Sequence, residues 1–176
     1  MVSQIKVNEI IKQSGSSISI GESGDTITVP SGTLDNTPYF RVFRDGVQSL
    51  ANNTRTTIQW NTETVDSGNY FDLTTYRYTP LVAGYYLFSC AIKLDTATDS
   101  NNFVMYIRKN GTEVLETSTN SEYYNSTFGT LLIEMNGTTD YVDVAGNQNT
   151  GGAVNLDGTD KKTFFHGNRI ITWQVN

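Results

Sequence analysis

The sequence lacks the residues from which many functional sites are built. Its 176 residues include 1 cysteine, Cys90, and 1 histidine, His166. The single cysteine excludes a disulfide framework within the chain and a zinc site made of cysteines, and the single histidine excludes a multi-histidine metal centre. A nucleophilic triad needs a base beside its serine or cysteine, and a lone histidine is more often structural. We therefore assign no catalytic, cofactor-binding or metal-ligating residue and predict that the chain is not an enzyme.

Positive charge and long apolar runs are also scarce. Lysine and arginine total 12 against 18 acidic residues, which gives a net charge of -6, so a nucleic-acid partner is not expected. No apolar run is long enough to predict a membrane span. Residues 1–6 lack an apolar stretch after their first charge, so we predict no signal peptide and synthesis in the cytoplasm. The sequons at Asn52, Asn110, Asn125 and Asn136 are interpreted as turn sequences.

Alternating apolar residues dominate the chain after residue 38, and no amphipathic helix of useful length is present. In the clearest strand, 84–94, Phe88, Cys90 and Ile92 share one face, and in 103–109 Met105 and Ile107 do the same. We predict that Phe88, Ile92, Met105 and Ile107 are core residues and that Cys90 is a small buried apolar residue. About eight to ten strands predict an all-β sandwich or jelly roll. The predicted strands are 38–44, 56–60, 84–94, 103–109, 112–117, 128–135, 139–145 and 163–175.

Two Asn-Gly pairs punctuate these strands. Asn110-Gly111 predicts a two-residue hairpin turn, because both positions of that turn need a positive φ. Asn136-Gly137 joins 128–135 to 139–145.

Residues 1–34 differ from the rest and are named the N-terminal arm. They contain three short alternations, Ile5/Val7, Ile18/Ile20 and Ile27/Val29, separated by glycines and without aromatic residues. Such short strands cannot close a core, so we predict an extended β arm that needs a partner surface. The alternative is an unstructured tail. The domain boundary is placed there, with an arm over 1–34 and a head over 35–176.

Few other residues suggest a ligand. The loops Asp95–Asp99 and Asp157–Asp160 offer oxygen atoms of the kind that calcium prefers, but solvated acids are the simpler interpretation. Tyr123 and Tyr124 could stack on sugar rings or simply face one side of a strand. His166 alternates with Phe164 on the face opposite Phe165 and Gly167, so we predict a structural role in an interface. No cofactor is expected, with calcium as the one candidate.

Several motifs in order resemble the C1q-like globular head, the ten-stranded jelly roll shared with the tumour necrosis factor (TNF) family. The resemblance covers about residues 38–171. It is carried by Asn69-Tyr70-Phe71-Asp72, Thr79-Pro80-Leu81-Val82-Ala83-Gly84-Tyr85-Tyr86-Leu87-Phe88, Ile107-Arg108-Lys109-Asn110-Gly111, Asp140-Tyr141-Val142 and Phe165-His166-Gly167. This resemblance implies a homotrimer whose aromatic-rich inner sheets face a threefold axis. It also implies that the termini lie together at the base and the variable loops at the opposite end.

The N-terminal arm carries a second resemblance. Ser3-Gln4-Ile5-Lys6-Val7-Asn8-Glu9-Ile10, Ser19-Ile20 and Thr26-Ile27-Thr28-Val29-Pro30-Ser31-Gly32 are similar to the N-terminal segments of virion structural proteins of tailed bacteriophages. This implies a virion protein, either a capsid cement or decoration protein or a short head fibre, attached to other virion proteins through residues 1–34. The alternative is a tail-fibre tip that recognises a bacterial surface glycan. A glycan-active enzyme is the least favoured reading.

Overall fold

Strands account for all the regular secondary structure that the computed structural model describes, which covers residues 37–95, 102–120 and 126–170. None of these residues belongs to a helix that is long and apolar enough to cross a membrane. The strands are Tyr39–Phe43 (β1), Ser49–Leu50 (β2), Thr56–Thr57 (β3), Thr62–Asp66 (β4), Phe71–Asp72 (β5), Arg77–Tyr78 (β6), Gly84–Lys93 (β7), Asn102–Lys109 (β8), Thr112–Asn120 (β9), Ser126–Met135 (β10), Val142–Gln148 (β11), Val154–Asn155 (β12) and Phe164–Ile170 (β13).

The strands form two main antiparallel sheets. The first sheet has five strands in the order β10-β7-β13-β1-β4. The second has the order β5-β6-β11-β8-β9, and β3 pairs with β11 beside this path. Most neighbours within each sheet are distant in sequence, so the chain crosses repeatedly from one sheet to the other. This arrangement confirms the predicted all-β jelly roll.

The core lies between the inner faces of the two sheets. All four residues predicted for it, Phe88, Ile92, Met105 and Ile107, are fully buried. Burial also raises the pKa of the Cys90 thiol well above its usual value, as expected for a small apolar residue. The alternation that the sequence displays in β7 and β8 therefore sets the inner faces.

The two Asn-Gly pairs have different structures. Asn110 and Gly111 have φ angles of 53° and 81° and connect the paired residues Lys109 and Thr112, which confirms the predicted hairpin. Asn136-Gly137 instead connects β10 of the first sheet to β11 of the second sheet. The side-chain oxygen of Asn136 accepts hydrogen bonds from the backbone N–H groups of residues 138–140. Because the turn uses these residues, β11 begins at Val142 rather than at the predicted residue 139.

The predicted strand 56–60 is only partly a strand. Regular pairing is confined to Thr56–Thr57, although the alternating residues Ile58 and Trp60 that suggested it are fully buried. The sequence pattern therefore located two core side chains correctly but overestimated the length of the strand.

The described domain begins and ends at the same end of the first sheet. Tyr39 pairs with Asn168, and the backbone N–H of Arg169 donates to the carbonyl of Pro38 at 2.8 Å. Lys93 and Ser126, which pair with each other, lie at the other end of this sheet, called here the distal end. The N-terminal arm, its boundary at residue 35, and Tyr123 and Tyr124 lie outside the described residues.

Candidate association surface

The outward face of the first sheet is the main candidate for a functional surface. Strand register places its side chains in four rows, which together are named the association face. The row nearest the distal end is Phe128, Ala91, Phe164 and Phe43; the next is Thr130, Ser89, His166, Arg41 and Val65; the third is Leu132, Leu87, Asn168 and Tyr39; the last is Glu134, Tyr85 and Ile170.

This face holds an unusual share of exposed apolar surface. Phe128 is 59% exposed, Leu132 is 53% exposed and Tyr85 is 45% exposed. With Tyr39 and Val65, they make five of the nine large hydrophobic residues that are exposed in the described part of the chain. A contiguous apolar patch of this kind is typical of a surface that another molecule covers.

A row of polar side chains crosses the middle of the association face. The hydroxyls of Ser89 and Thr130 are 3.0 Å apart and hydrogen-bond to each other. His166 stacks on Phe164, with ring centroids 5.5 Å apart and an interplanar angle of 3°. Within the described residues the imidazole has no hydrogen-bond partner. Its two nitrogens are therefore available to a molecule that covers the face.

Burial and a nearby cation favour the neutral form of this imidazole. Burial and the nearby guanidinium of Arg41 lower the pKa of His166 below its usual value. Arg41 lies over the ring of Phe164, with its guanidinium carbon 5.3 Å from the ring centroid, and donates a 2.7 Å hydrogen bond to the carbonyl of Asp160. In the central row, the hydroxyls of Ser89 and Thr130 and the guanidinium of Arg41 thus have hydrogen-bond partners within the chain. The imidazole of His166 has none among the described residues.

The outward face of the second sheet is different because it is charged. Arg108 donates two hydrogen bonds of 2.7 and 2.8 Å to the carboxylate of Asp143. Arg55 covers the ring of Tyr106, with its guanidinium carbon 4.1 Å from the ring centroid. Asp143 is 4% exposed and is compensated by the bidentate bond from Arg108, so these charges are paired within the chain. The first sheet is therefore the better candidate for an interface.

The structure does not bring together the other candidate residues that the sequence suggested, which are Cys90 and the acids of the two loops. Cys90 lies in the core, away from the association face. The carboxylate of Asp157 accepts a 2.7 Å hydrogen bond from Lys162 and lies 3.4 Å from the ammonium of Lys93, and the Lys162 bond lowers its pKa. Asp95 is exposed, whereas residues 96–101 lie outside the described ranges. Across those ranges, no group of three or more His, Cys, Asp or Glu side chains could hold a metal ion.

Comparison with solved structures identifies the fold. The chain is similar to murine APRIL, with a TM-score of 0.57 and 12% identity over 77% of this chain and 100% of that one. It is also similar to the globular domain of zebrafish complement 1qA, with a TM-score of 0.56 and 16% identity over 77% and 98% of the two chains. For Eiger TNF from S. frugiperda, the TM-score is 0.56 and the identity is 14% over 79% and 94%.

No family model and no curated protein sequence matches the chain. The structural neighbours therefore show the fold alone. The described domain is a jelly roll of the C1q/TNF-like type, as the motifs of β7, β8 and β13 predicted.

Proposed function

We propose that this protein is a trimeric structural protein of a bacteriophage virion, either a capsid decoration protein or a short head fibre. The observation that carries the proposal is the association face, which presents apolar residues in ordered rows on one sheet while the other sheet is charged. Two further copies of the chain are the partners that the C1q-like resemblance implies for this face. Burying it in a trimer removes apolar surface from water, which drives association.

The proposed attachment uses the N-terminal arm. Thr37 and Ile170 mark the same end of the described domain, so the arm connects to the head at the end opposite the distal end. Three arms on one trimer bind neighbouring virion proteins together, and each weak strand contact is then strengthened by the high effective concentration of the others. The phage assignment itself is supported by the sequence resemblance of residues 1–34.

The mechanism is association, and we propose no catalytic step. His166, the chain's single histidine, lies on a flat sheet between the side chains of Ser89 and Arg41 in register. Arg41 is a cation and lowers the basicity of the ring, whereas a general base is usually oriented by a carboxylate.

A second candidate is the tip of a tail fibre that binds a bacterial surface glycan. It is favoured by two cavities at the distal end of the described domain. One, of about 120 Å³, is lined by Val104, by the asparagines Asn53, Asn102, Asn147 and Asn149, and by Gln148, whose amide is already bonded to Leu50, Thr150 and Gly152. Uncharged amides both donate and accept hydrogen bonds, as sugar hydroxyls require. The other cavity, of about 290 Å³, lies between β7, β10 and the loop before β13.

Sedimentation equilibrium tests the trimer. We expect the mass of three chains at micromolar concentration, and we expect Leu132→Asp to shift the protein towards monomer because it buries a charge in the proposed interface. Leu73→Asp is the matched control, because Leu73 is also exposed but follows β5 at the far edge of the second sheet. A monomeric wild-type protein, or equal effects of the two variants, would contradict the proposal.

Deletion of residues 1–34 tests the attachment. We expect a folded head with an unchanged circular dichroism spectrum that no longer binds to particles purified without the protein. If the shortened head decorates those particles as fully as the whole chain does, the anchor lies elsewhere. If it unfolds, the arm belongs to the core of the head.

A further inference from the structure

The lysines of the described domain are concentrated around one cavity. Of the four lysines in the described ranges, Lys93, Lys161 and Lys162 line it, and only Lys109 lies elsewhere. The cavity has a volume of about 290 Å³ and lies at the distal end, between β7, β10 and the loop before β13. Although the net charge of the chain is -6, three of these four lysines thus lie around one cavity.

The positive charge of this cavity exceeds the local negative charge. One carboxylate, that of Asp157, is shared by Lys93 and Lys162. The ammonium of Lys161 has no hydrogen bond or ion pair with any described residue. Three lysines therefore line the cavity, and the carboxylate of Asp157 pairs with two of them, so an incoming anion meets a net attraction.

The opposite wall of the cavity is apolar. Phe128 is 59% exposed, and Ala91, its partner across β7 and β10, leaves the space beside the ring open. The hydroxyl-bearing Ser126 completes this wall. A site with an aromatic ring on one side and a few convergent cations on the other suits a ligand that has both an apolar face and an anionic group.

We propose that this cavity binds an acidic sugar, that is, a pyranose ring bearing a carboxylate, as found in acidic polysaccharides. The carboxylate takes charge-assisted hydrogen bonds from Lys161 and its lysine neighbours, and the C–H face of the ring lies on Phe128. The cavity volume is near the lower limit of roughly 300 Å³ for small-molecule sites, which fits one or two sugar rings.

This inference goes beyond the proposed assembly role and names a ligand class for the second candidate function. It does not depend on association, because all the lining residues belong to one chain. Phe128 is shared with the association face, but it lies in the end row on the edge strand β10. The cavity is therefore at the rim of that face.

The test is a calorimetric or NMR titration of the whole chain with methyl glucuronide, with methyl glucoside as the neutral ligand of the same shape and sodium acetate as the anion without a ring. We expect methyl glucuronide to bind about tenfold more tightly than either of the others, because each lacks one of the two contacts. We expect Lys161→Gln to weaken methyl glucuronide binding by about the same factor, and Phe128→Leu to weaken both glycosides.

Lys109→Gln is the matched control, since it removes the same charge away from the cavity. It should leave glucuronide affinity unchanged. Equal affinity for the two glycosides, equal affinity for glucuronide and acetate, or equal effects of the two lysine variants would each overturn the proposal. Sedimentation of the same samples shows whether Lys161→Gln remains assembled, so a failed ligand site is distinguishable from a failed trimer.

Discussion

Replacement of Phe88 by alanine should be among the most destabilising single changes in this domain. The Phe88 ring is fully buried in β7, and it lies directly against the backbone of its cross-strand partner Gly167. A methyl group on Gly167 would approach the ring to 2.5 Å, so no spare volume separates them. Four other aromatic rings surround Phe88, with centroids 5.8 to 6.2 Å away: Phe40, Tyr78, Tyr86 and Phe165.

The magnitude follows from this packing. Truncation of a buried phenylalanine costs about 3–5 kcal/mol, and the cost is higher where the surroundings cannot collapse into the cavity. The neighbours of Phe88 are stiff rings held by two sheets, so we expect about 4–5 kcal/mol. For a domain of this size that loss lowers the melting temperature by roughly 8–20 °C.

Urea denaturation checks this value, with the fluorescence of the buried Trp60 and far-UV circular dichroism as probes. The control is Phe128→Ala, the same substitution at an exposed site, which should change the intrinsic stability by less than about 0.5 kcal/mol. Association makes the apparent stability of every variant depend on protein concentration, and Phe128→Ala, unlike Phe88→Ala, also weakens the association itself, so the series is repeated at several protein concentrations. A cost below about 1 kcal/mol for Phe88→Ala would show that the inner and outer faces of β7 are reversed.

Four further substitutions test polar groups by denaturation. Tyr78→Phe should be neutral or stabilising by about 1 kcal/mol, because the buried Tyr78 hydroxyl has no hydrogen-bond partner among the described residues. Tyr86→Phe loses a 2.7 Å hydrogen bond to the Val82 carbonyl and should cost about 1 kcal/mol. The hydrogen bond from the Lys109 ammonium lowers the pKa of Asp140. The stability that this carboxylate contributes is therefore fully present above about pH 4 and is lost as the pH drops further. Asp140→Asn should reduce that acid-induced loss. Because the pKa of His166 is lowered in the folded state, the unfolded chain binds this proton more readily. The free energy of unfolding should therefore fall as the pH drops below about 6.5. His166→Gln should remove this pH dependence and alter trimer stability only modestly. If Tyr78→Phe destabilises as much as Tyr86→Phe, or if either pH profile is unchanged by its variant, the corresponding assignment is wrong.

The sequence predicts the fold well where strands are long and alternate strictly. β7 illustrates this, because ten residues of alternation leave only one arrangement of its faces. β4, with the sequence Thr62–Asp66, was not predicted, since it has one aliphatic residue, Val65, and lies at the sheet edge. The second Asn-Gly pair shows a different limit: the dipeptide indicates a turn, but only the pairing of the flanking strands decides whether that turn stays within one sheet.

The candidate sites are less predictable because they depend on strand order. Alternation correctly predicts that Phe164 and His166 share a face opposite Phe165 and Gly167. It does not show that β13 lies between β7 and β1, which is what joins their outer residues into one surface. The cavity lined by lysines is not predicted for the same reason: Lys93 and Lys161 are far apart in sequence, and in the loop that carries Lys161 and Lys162 only the acids suggest a ligand.

The position of β13 also determines when the head can fold. This strand is the last one of the described domain, yet it fills the centre of the first sheet, with β7 and β1 as its neighbours. Until Ile170 has left the ribosome, β7 and β1 each expose an unpaired edge, and those edges are prone to intermolecular pairing. Insertion of β13 into the sheet must then bring Tyr39 next to Asn168, which is a long-range contact of the kind that slows folding. Heads that are still being translated are thus liable to aggregate through these edges, and expression at low temperature should favour soluble protein by slowing aggregation of this unfinished sheet.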